Sequence, residues 1–340
     1  MGGRKDTMDT GASRQRAPRP AAIDPPTSHG AYPPGVDNQR REFEERRLAA
    51  FRRRGFSGVG RRIPDHAGRQ TYILVSEEKS ACPTVLVHGG VGNTIEWADL
   101  APKLETPLVI PDRPGFGLSY PTDYHRLDFR ADAARWLLEL TDGLAVDKID
   151  LVGNSMGGFF AIAFAAAHPD RVRKLVLCGT AGGLFPKPGL FLQLWATPGI
   201  GTLISRIQFR DTETLRKRAF GTYLMHPERI PADLLEVALL GINLPGTADT
   251  NQAIMQAVAT IRGWRPQLRL ESALATLPVP TLFICGDHDP LAGPDVGRDL
   301  TTRMPDARIT VIPDAGHIPH LDQPDAVATA LNQFLEQAST

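Results

Sequence analysis

Long apolar runs, a leader segment and paired cysteines are all missing from the 340-residue sequence. No stretch reaches the roughly 18 apolar residues that a membrane-spanning helix needs, and the N-terminus lacks the apolar segment of a signal peptide. The three cysteines, Cys82, Cys178 and Cys285, are odd in number, and two of them fall within or at the end of expected buried strands. We therefore expect reduced cysteines, no membrane partner and a cytoplasmic protein.

Motifs for metals and nucleotides are missing too. The glycine-rich loop at residues 88–92 lacks the G-x-x-x-x-G-K-[ST] pattern of a phosphate loop, and residues 115–117, Gly-Phe-Gly, lack the third glycine of a dinucleotide fingerprint. His317 and His320 have H-x-x-H spacing, but Pro319 argues against a helix that presents both, and no cysteine or carboxylate cluster completes a metal site. We expect neither a cofactor nor a metal ion.

The N-terminal part of the chain is basic, although the whole chain has no net charge. Residues 1–38 combine basic side chains with six prolines and little that could be buried, which predicts a disordered basic tail. Residues 40–54 have a helical pattern, which suits either an arm for nucleic acid or membranes or a surface helix docked on the domain. Three glutamates interrupt its basic run, so we favour the docked helix and expect no nucleic-acid partner.

From about residue 60, short apolar strands alternate with helical patterns. This alternation is typical of an α/β fold with a mostly parallel sheet covered by helices on both faces. The predicted strands span residues 70–75, 84–87, 108–110, 149–152, 175–178, 282–285 and 309–312. The predicted helices span residues 97–103, 128–141, 157–168, 295–303 and 324–337.

The alternation stops between residues 182 and 270, where helix-like stretches are separated by prolines and no clear strand occurs. A helical insertion in a sheet domain is most simply a lid over the carboxyl ends of the strands, where ligands of open α/β sheets bind. The core would then have two parts, residues 39–181 and 271–340. Six apolar residues are expected to line the cavity or to pack within the lid: Leu184, Phe185, Leu190, Phe191, Trp195 and Leu203.

Residues 148–169 combine a short apolar strand, a tight turn and a nearly all-apolar helix. Gly153 and Gly157 flank Ser155 in the G-x-S-x-G pattern of a nucleophile elbow, a strained turn that exposes the serine hydroxyl. The two glycines let the neighbouring backbone pass closely. Ser155 is therefore the candidate nucleophile.

A serine nucleophile needs a base within hydrogen-bond reach and a carboxylate that orients this base. In the sequence after Ser155, one predicted strand is followed by Asp287 and Asp289, and the next is followed by His317 and His320. Both loops leave the carboxyl edge of the sheet, where Ser155 also lies. In Gly316-His317, the position in the loop and the order along the chain agree, so His317 is the favoured base, with His320 as its rival. Either aspartate can be the acid.

The tetrahedral intermediate of acyl transfer also needs hydrogen-bond donors for its oxyanion. One expected donor is the N–H of Met156, the residue after Ser155. The other comes from the loop after an earlier strand, and Gly90 in the loop at residues 88–92 fits this position. The sequence therefore predicts an oxyanion hole made by Gly90 and Met156.

Taken together, these motifs resemble those of α/β-hydrolase fold proteins over residues 60–340. The resemblance rests on His88-Gly89-Gly90, on Asp-Arg-Pro-Gly-Phe-Gly-Leu-Ser at residues 112–119, on residues 153–158, and on Gly286-x-x-Asp289 with Gly316-His317. It implies Asp289 as the acid, because the family's acid closes a G-x-x-D turn, and Asp287 then stabilises the turn. It also implies that Asp112 and Arg113 support the active-site floor.

The elbow Gly-Asn-Ser-Met-Gly-Gly is also similar to that of hydrolases that cleave carbon–carbon bonds in meta-ring-fission products. That subgroup places a Trp after the catalytic His and an Arg in the lid, whereas here Ile318 follows His317 and no lid arginine can be matched. These departures favour a small apolar ester or related acyl substrate, cleaved through an acyl-enzyme by Ser155, His317 and Asp289. A carbon–carbon hydrolase of diketo acids and a non-catalytic ligand-binding protein are the alternatives.

Overall fold

The computed structural model describes residues 38–78, 80–90, 92–184, 189–205 and 209–337, and the statements below concern these residues. The tail expected over residues 1–38 lies outside them, apart from Asn38.

Twelve helices are present in the described part of the chain: α1 (Asn38–Arg53), α2 (Phe129–Gly143), α3 (Met156–Ala167), α4 (Leu190–Trp195), α5 (Ile200–Ser205), α6 (Thr212–Arg218), α7 (Ala232–Ile242), α8 (Thr247–Val258), α9 (Glu271–Ala275), α10 (Pro294–Arg303), α11 (Pro319–Asp322) and α12 (Pro324–Glu336). None of these described helices is both long and apolar enough to cross a membrane.

The strands are β1 (Gly58–Pro64), β2 (Gln70–Ser76), β3 (Thr84–Val87), β4 (Leu108–Pro111), β5 (Ile149–Asn154), β6 (Val172–Cys178), β7 (Ala259–Thr260), β8 (Gly263–Trp264), β9 (Thr281–Gly286) and β10 (Ala307–Ile312). Eight of them form one sheet in the order β1-β2-β4-β3-β5-β6-β9-β10, and β7 and β8 form a separate small hairpin. The pairs from β4 to β10 are parallel, and β1–β2 and β2–β4 are antiparallel. The predicted mostly parallel sheet is therefore confirmed.

Apolar residues alternate between the two faces of the sheet, and helices cover both. On β3, Val85 and Val87 join a cluster that includes α2 and α3, whereas Leu86 joins the cluster that includes α1 and α12. On β5, Leu151 and Val152 divide between the same two clusters. Successive side chains of a strand point to opposite faces, so a strand buried on both faces is apolar throughout. This explains why the central strands read as short continuous apolar runs.

Two sequence-based assignments were wrong. The helix predicted over residues 97–103 is two 3-10 turns, Thr94–Trp97 and Ala101–Lys103. Pro102 has no N–H for a helical hydrogen bond, which disfavours one continuous helix here. Strand β1 was not predicted, because two glycines and two arginines within Gly58–Pro64 hide its alternation of buried and exposed residues.

The chain between β6 and β9, called the helical region below, contains α4 to α9 and the β7–β8 hairpin. Several of its apolar side chains face solvent: Leu190, Phe191 and Leu203 are 68%, 56% and 69% exposed. These three were expected to line a cavity or to pack within a lid, and their exposure contradicts the packing. Leu184 is buried in the core, and Phe185 lies outside the described residues.

Helix α1 inserts a cation into the core. Arg47 is fully buried between the rings of Phe43 and Tyr72, with its guanidinium carbon 4.5 and 4.7 Å from their centroids. Its Nη1 donates to both carboxylate oxygens of Asp112 at 2.8 Å. Arg53, the last residue of α1, and Arg54, which follows it, both pair with Asp233 of α7. Helix α1 therefore contacts both the sheet and the helical region.

Candidate active site at the carboxyl edge of the sheet

Ser155 occupies the turn between β5 and α3. Its backbone has φ 49° and ψ −111°, a conformation that non-glycine residues rarely adopt. A side chain at Gly157 would collide with the carbonyl oxygens of Val87 and His88, and one at Gly153 would collide with the backbone of Gly157. The glycines on either side of Ser155 thus allow the close packing that holds this strained turn, as the elbow pattern predicts.

The neighbouring Asn154 ties the elbow to the loop that carries His317. Its Nδ2 donates to the carbonyl oxygen of Cys178 at 2.7 Å and to that of His317 at 3.3 Å. Asn154 is 1% exposed, so both bonds form in a dry environment. The structure therefore brings the elbow and the backbone of His317 together, although Asn154 and His317 are 163 positions apart in the sequence.

Asp289 and His317 form a buried pair. Asp289 follows β9, His317 follows β10, and Asp289 Oδ2 lies 2.9 Å from His317 Nδ1. Both side chains are almost inaccessible, at 0% and 3% exposure. The other contacts of the carboxylate are backbone N–H groups, with Thr180 donating to Oδ2 and Leu291 to Oδ1. These bonds fix the carboxylate, and the carboxylate in turn orients the imidazole.

The environment of Asp289 favours its charged form. Burial alone raises the pKa of this carboxyl, but His317 and the hydrogen bonds from Leu291 and Thr180 outweigh burial, so the pKa lies below its usual value. Asp289 is therefore ionised at neutral pH. An ionised partner at Nδ1 holds the imidazole in the tautomer that leaves Nε2 able to accept a proton.

The second ring nitrogen of His317 has no partner within the described chain. Nε2 is buried and makes no hydrogen bond there, whereas the backbone N–H of His317 donates to the carbonyl oxygen of Tyr223 at 2.7 Å. The Tyr223 ring lies 5.8 Å from the imidazole, measured between centroids. Tyr223 belongs to the helical region, so this region contacts the histidine directly. An unpaired buried nitrogen is costly unless a reacting group uses it.

The rival candidates have other contacts. Asp287 Oδ1 accepts from the N–H of Ala315 at 3.2 Å and lies 2.7 Å from His288 Nδ1, so it braces the turn after β9. His320 is fully buried, stacks on Trp97 with ring centroids 4.1 Å apart, and lies 3.5 Å from Cys178 Sγ through Nδ1. Neither Asp287 nor His320 makes the bond that joins Asp289 to His317.

The expected oxyanion loop lies against the elbow. A Cβ built on Gly90 would be 3.9 Å from the Met156 Cβ. Arg113 Nη2 donates to the carbonyl oxygens of Gly89 at 2.6 Å and Gly90 at 3.3 Å, and the N–H of Arg113 donates to His88 Nε2 at 3.0 Å. Met156 begins α3, where the first N–H groups have no partner inside the helix. Gly90 and Met156 are therefore neighbours, as expected.

Arg113 is a positively charged side chain in the interior of the protein, which is an unusual place for a cation. It is fully buried, its guanidinium lies 4.5 Å from the Phe116 ring centroid, and burial lowers its pKa to about 10. It remains charged at neutral pH and holds two carbonyl groups, which is consistent with the supporting role that the sequence resemblance implied.

Sequence reasoning missed Asp322. This buried carboxylate accepts the N–H groups of Gly316, Met225 and His226 at 2.8, 3.1 and 3.0 Å. It thereby joins the loop before His317 to the helical region. No motif marks it, because its partners are three backbone N–H groups that only the fold brings together.

No group of three or more His, Cys, Asp or Glu side chains in the described ranges could hold a metal ion.

Comparisons with known proteins agree with this fold. A family model described as the alpha/beta hydrolase fold matches residues 83–324. The 2-hydroxymuconate semialdehyde hydrolase of Pseudomonas sp. (strain CF600) is 29% identical over 265 residues, which is 75% of this chain and 87% of that protein.

Solved structures share the fold at lower sequence identity. The 2-hydroxy-6-oxo-6-phenylhexa-2,4-dienoate hydrolase of Rhodococcus sp. strain RHA1 matches with a TM-score of 0.70 at 22% identity, covering 83% of this chain and 99% of that one. A carboxylesterase of Bacillus subtilis matches with a TM-score of 0.67 at 17% identity, covering 89% and 100%. The family model covers more than half of the chain, so the chain belongs to the α/β hydrolase fold family, and this match together with the Pseudomonas relative supports hydrolase activity.

Proposed function

We propose that this protein is a serine hydrolase that cleaves a small ester or related acyl compound, with Ser155 as nucleophile, His317 as base and Asp289 as the residue that orients His317. The observation that carries the proposal is the buried bond of 2.9 Å between Asp289 and His317, in loops at the sheet edge that also holds the elbow. A buried histidine with one nitrogen on a carboxylate and the other unpaired is suited to taking a proton from a serine.

The reaction has two stages. His317 Nε2 takes the hydroxyl proton while Ser155 Oγ attacks the acyl carbon, and the N–H groups of Gly90 and Met156 stabilise the resulting oxyanion. The intermediate collapses, the ester C–O bond breaks, and the leaving alcohol takes the proton from His317. Water then attacks the acyl-enzyme with His317 again as base, which releases the carboxylic acid and restores Ser155.

The test of this proposal uses a probe that reports on the serine alone. A fluorophosphonate is expected to label the full-length protein at one site, identified by peptide mass spectrometry as Ser155. The same protein should hydrolyse short p-nitrophenyl esters, and Ser155→Ala should lower kcat by roughly 10⁴-fold or more. Ser272→Ala, which removes an exposed serine elsewhere in the chain, is the control for labelling. Wild-type turnover by Ser155→Ala would refute the proposal.

A carbon–carbon hydrolase is the second candidate, and the relatives' names favour it. The Pseudomonas and Rhodococcus proteins are both named as hydrolases of semialdehyde or dienoate compounds. The departures at Ile318 and in the lid arginines argue the other way. Arg216 pairs with Glu213 on its own helix, and Arg206 lies outside the described residues.

One comparison separates the two candidates. Turnover of a panel of p-nitrophenyl esters and of a vinylogous diketo acid is measured with the same preparation, with Ser155→Ala as the blank. We expect a higher kcat/KM for an ester. A diketo acid with the higher kcat/KM would assign carbon–carbon cleavage, and binding of both without turnover would assign a non-catalytic receptor.

A further inference from the structure

Glu96 is a buried carboxyl close to the expected oxyanion loop. It lies in the 3-10 turn Thr94–Trp97 and is 7% exposed. Its Oε1 accepts the N–H of Gly89 at 2.9 Å. A side chain at Gly92 would collide with Oε2, so the loop backbone packs directly on the carboxyl. A glutamate is seldom buried this completely without a specific partner.

Two side chains hold the loop from two directions. Glu96 holds the N–H of Gly89, which fixes the peptide between residues 88 and 89. Arg113 holds the carbonyl oxygen of Gly89, which fixes the next peptide. In a planar trans peptide the N–H points away from the C=O, so the bond from Arg113 turns the N–H of Gly90 away from Arg113. Glu96 keeps the preceding peptide from rotating, and the two bonds together set the direction of the Gly90 N–H.

We propose that Glu96 is a positioning residue for the oxyanion hole, which keeps the N–H of Gly90 aimed at the site where the oxyanion forms. This inference rests on the proposed serine mechanism. Loss of the hydrogen bond between Glu96 and the Gly89 N–H allows the loop at residues 88–92 to rotate. The Gly90 N–H then no longer points at the oxyanion, which develops only in the transition state. The expected effect is therefore on kcat rather than on KM.

The charge state of Glu96 makes the role testable by pH. Burial raises the pKa of this carboxyl to about 8, although the Gly89 N–H and Arg113 oppose the shift. A neutral carboxyl still accepts the N–H through its carbonyl oxygen. An ionised one places a negative charge beside the oxyanion and opposes its formation. The rate should consequently fall as pH rises through about 8.

Three other titratable groups face Glu96 or its immediate neighbours. His320 Nε2 lies 3.8 Å from Oε1, and burial lowers the pKa of His320 to about 3, so it stays neutral. Burial raises the pKa of the Cys178 thiol, which also stays neutral at pH 8. Arg113, with a pKa of about 10, stays charged. Of these four groups, Glu96 is the one that titrates between pH 7 and 9.

The experiment compares Glu96→Leu, Glu96→Gln and, as control, Glu105→Gln, an exposed glutamate nearby in the sequence. Ester hydrolysis is followed from pH 6 to 9.5. Glu96→Leu should lower kcat at pH 7 by about 10–100-fold with KM nearly unchanged, because one oxyanion donor is displaced. Glu96→Gln, which keeps a carbonyl acceptor, should recover most of this rate and should lack the fall above pH 8. Glu105→Gln should behave as wild type.

Two results would overturn the assignment. One is a wild-type kcat in Glu96→Leu. The other is a Glu96→Gln profile that keeps the alkaline fall, and this readout holds even where the leucine variant does not fold. Failure of the serine mechanism is recognised separately, because Ser155→Ala would then turn over substrate whatever the Glu96 variants do.

Discussion

The sheet and the helical region differ in how completely their apolar side chains are buried. Every residue of β5 and β9 is buried, and the two apolar clusters pack on both faces of these strands. In the helical region α4 and α5 leave large apolar side chains in solvent, and polar contacts join the region to His317 and Asp322. The residues proposed for the chemistry lie in turns and loops that follow strands of the sheet. Asp289, His317 and Met156 are buried there, whereas Ser155 and Gly90 are half-buried. The proposed catalytic residues therefore lie next to the most buried part of the fold, and the helical region that adjoins them is less tightly packed.

The largest effect is expected from breaking the buried pair on the sheet side. Asp289→Asn should lower kcat for an ester by about 10⁴-fold, because an amide at Nδ1 favours the wrong imidazole tautomer. Asp287→Asn, two residues away in the same turn, should cost less than tenfold. Steady-state kinetics at pH 7 measure both. The reverse order would make Asp287 the acid.

A stability effect nearly as large is expected at Arg47. Arg47→Met leaves Asp112 buried without its cation, which should lower the free energy of unfolding by about 3–5 kcal/mol. Arg46→Met, on the exposed side of the same helix, should change it by less than about 1 kcal/mol. Urea denaturation measures both. Equal values would show that α1 contributes little to the core.

The contact between the two regions should have an intermediate effect. Asp322→Ala leaves the buried N–H of Gly316 and the part-buried N–H groups of Met225 and His226 without an acceptor. This should cost roughly 1–3 kcal/mol of stability and lower kcat, because Gly316 precedes His317. Asp325→Ala, which removes an exposed carboxylate paired with Lys103, is the control. Thermal unfolding and ester kinetics on both variants check this. Unchanged kcat in Asp322→Ala would mean that the His317 loop holds its shape without the helical region.

A smaller, pH-dependent effect is expected at His226, which links the helical region to the loop after β10. Its Nε2 lies 2.7 Å from Asp314 Oδ1, and this hydrogen bond, together with one to Glu228, raises the pKa of His226 against the lowering effect of burial. A raised pKa in the folded state means that the added stability is fully present below the unfolded value of about 6.5 and is lost as pH rises through the folded value. The Tm difference between wild type and His226→Gln should accordingly be larger at pH 5.5 than at pH 9, and an equal difference at both would contradict it.

The smallest effect is expected on the exposed apolar surface. Leu203→Ser should change the free energy of unfolding by less than about 0.5 kcal/mol, since Leu203 is 69% exposed. Leu151→Ala on β5, at 0% exposure, should cost about 2–5 kcal/mol. A large loss in Leu203→Ser would mean that another surface covers this residue in solution.

The sequence predicts the parts of the fold that depend on local pattern. The seven strands that it indicates are present, because each carries apolar residues for both faces, and the strained turn at Ser155 follows from its glycines. The arrangement of Asp289 and His317 was predicted from chain order and family resemblance. Their catalytic roles, like those of Gly90 and Met156, remain predictions.

The sequence does not predict contacts that depend on distant segments. Arg47 belongs to a basic run that suggests a solvated helix face. No pattern in the neighbouring sequence indicates that its side chain pairs with Asp112 in the core. Glu96 and Asp322 bind backbone N–H groups, which carry no sequence signature. Leu203 is apolar, so the sequence alone suggests that it is packed. Its exposure depends on which residues of the helical region lie beside it.

The position of Arg47 also affects how the protein can be cut. The family match begins at residue 83, after α1, β1 and β2. A fragment trimmed to that match would lose Arg47 and leave the Asp112 side chain without the guanidinium that pairs with it. A shortened or fused form of the protein should therefore be joined no later than Asn38, so that the whole of α1 is kept.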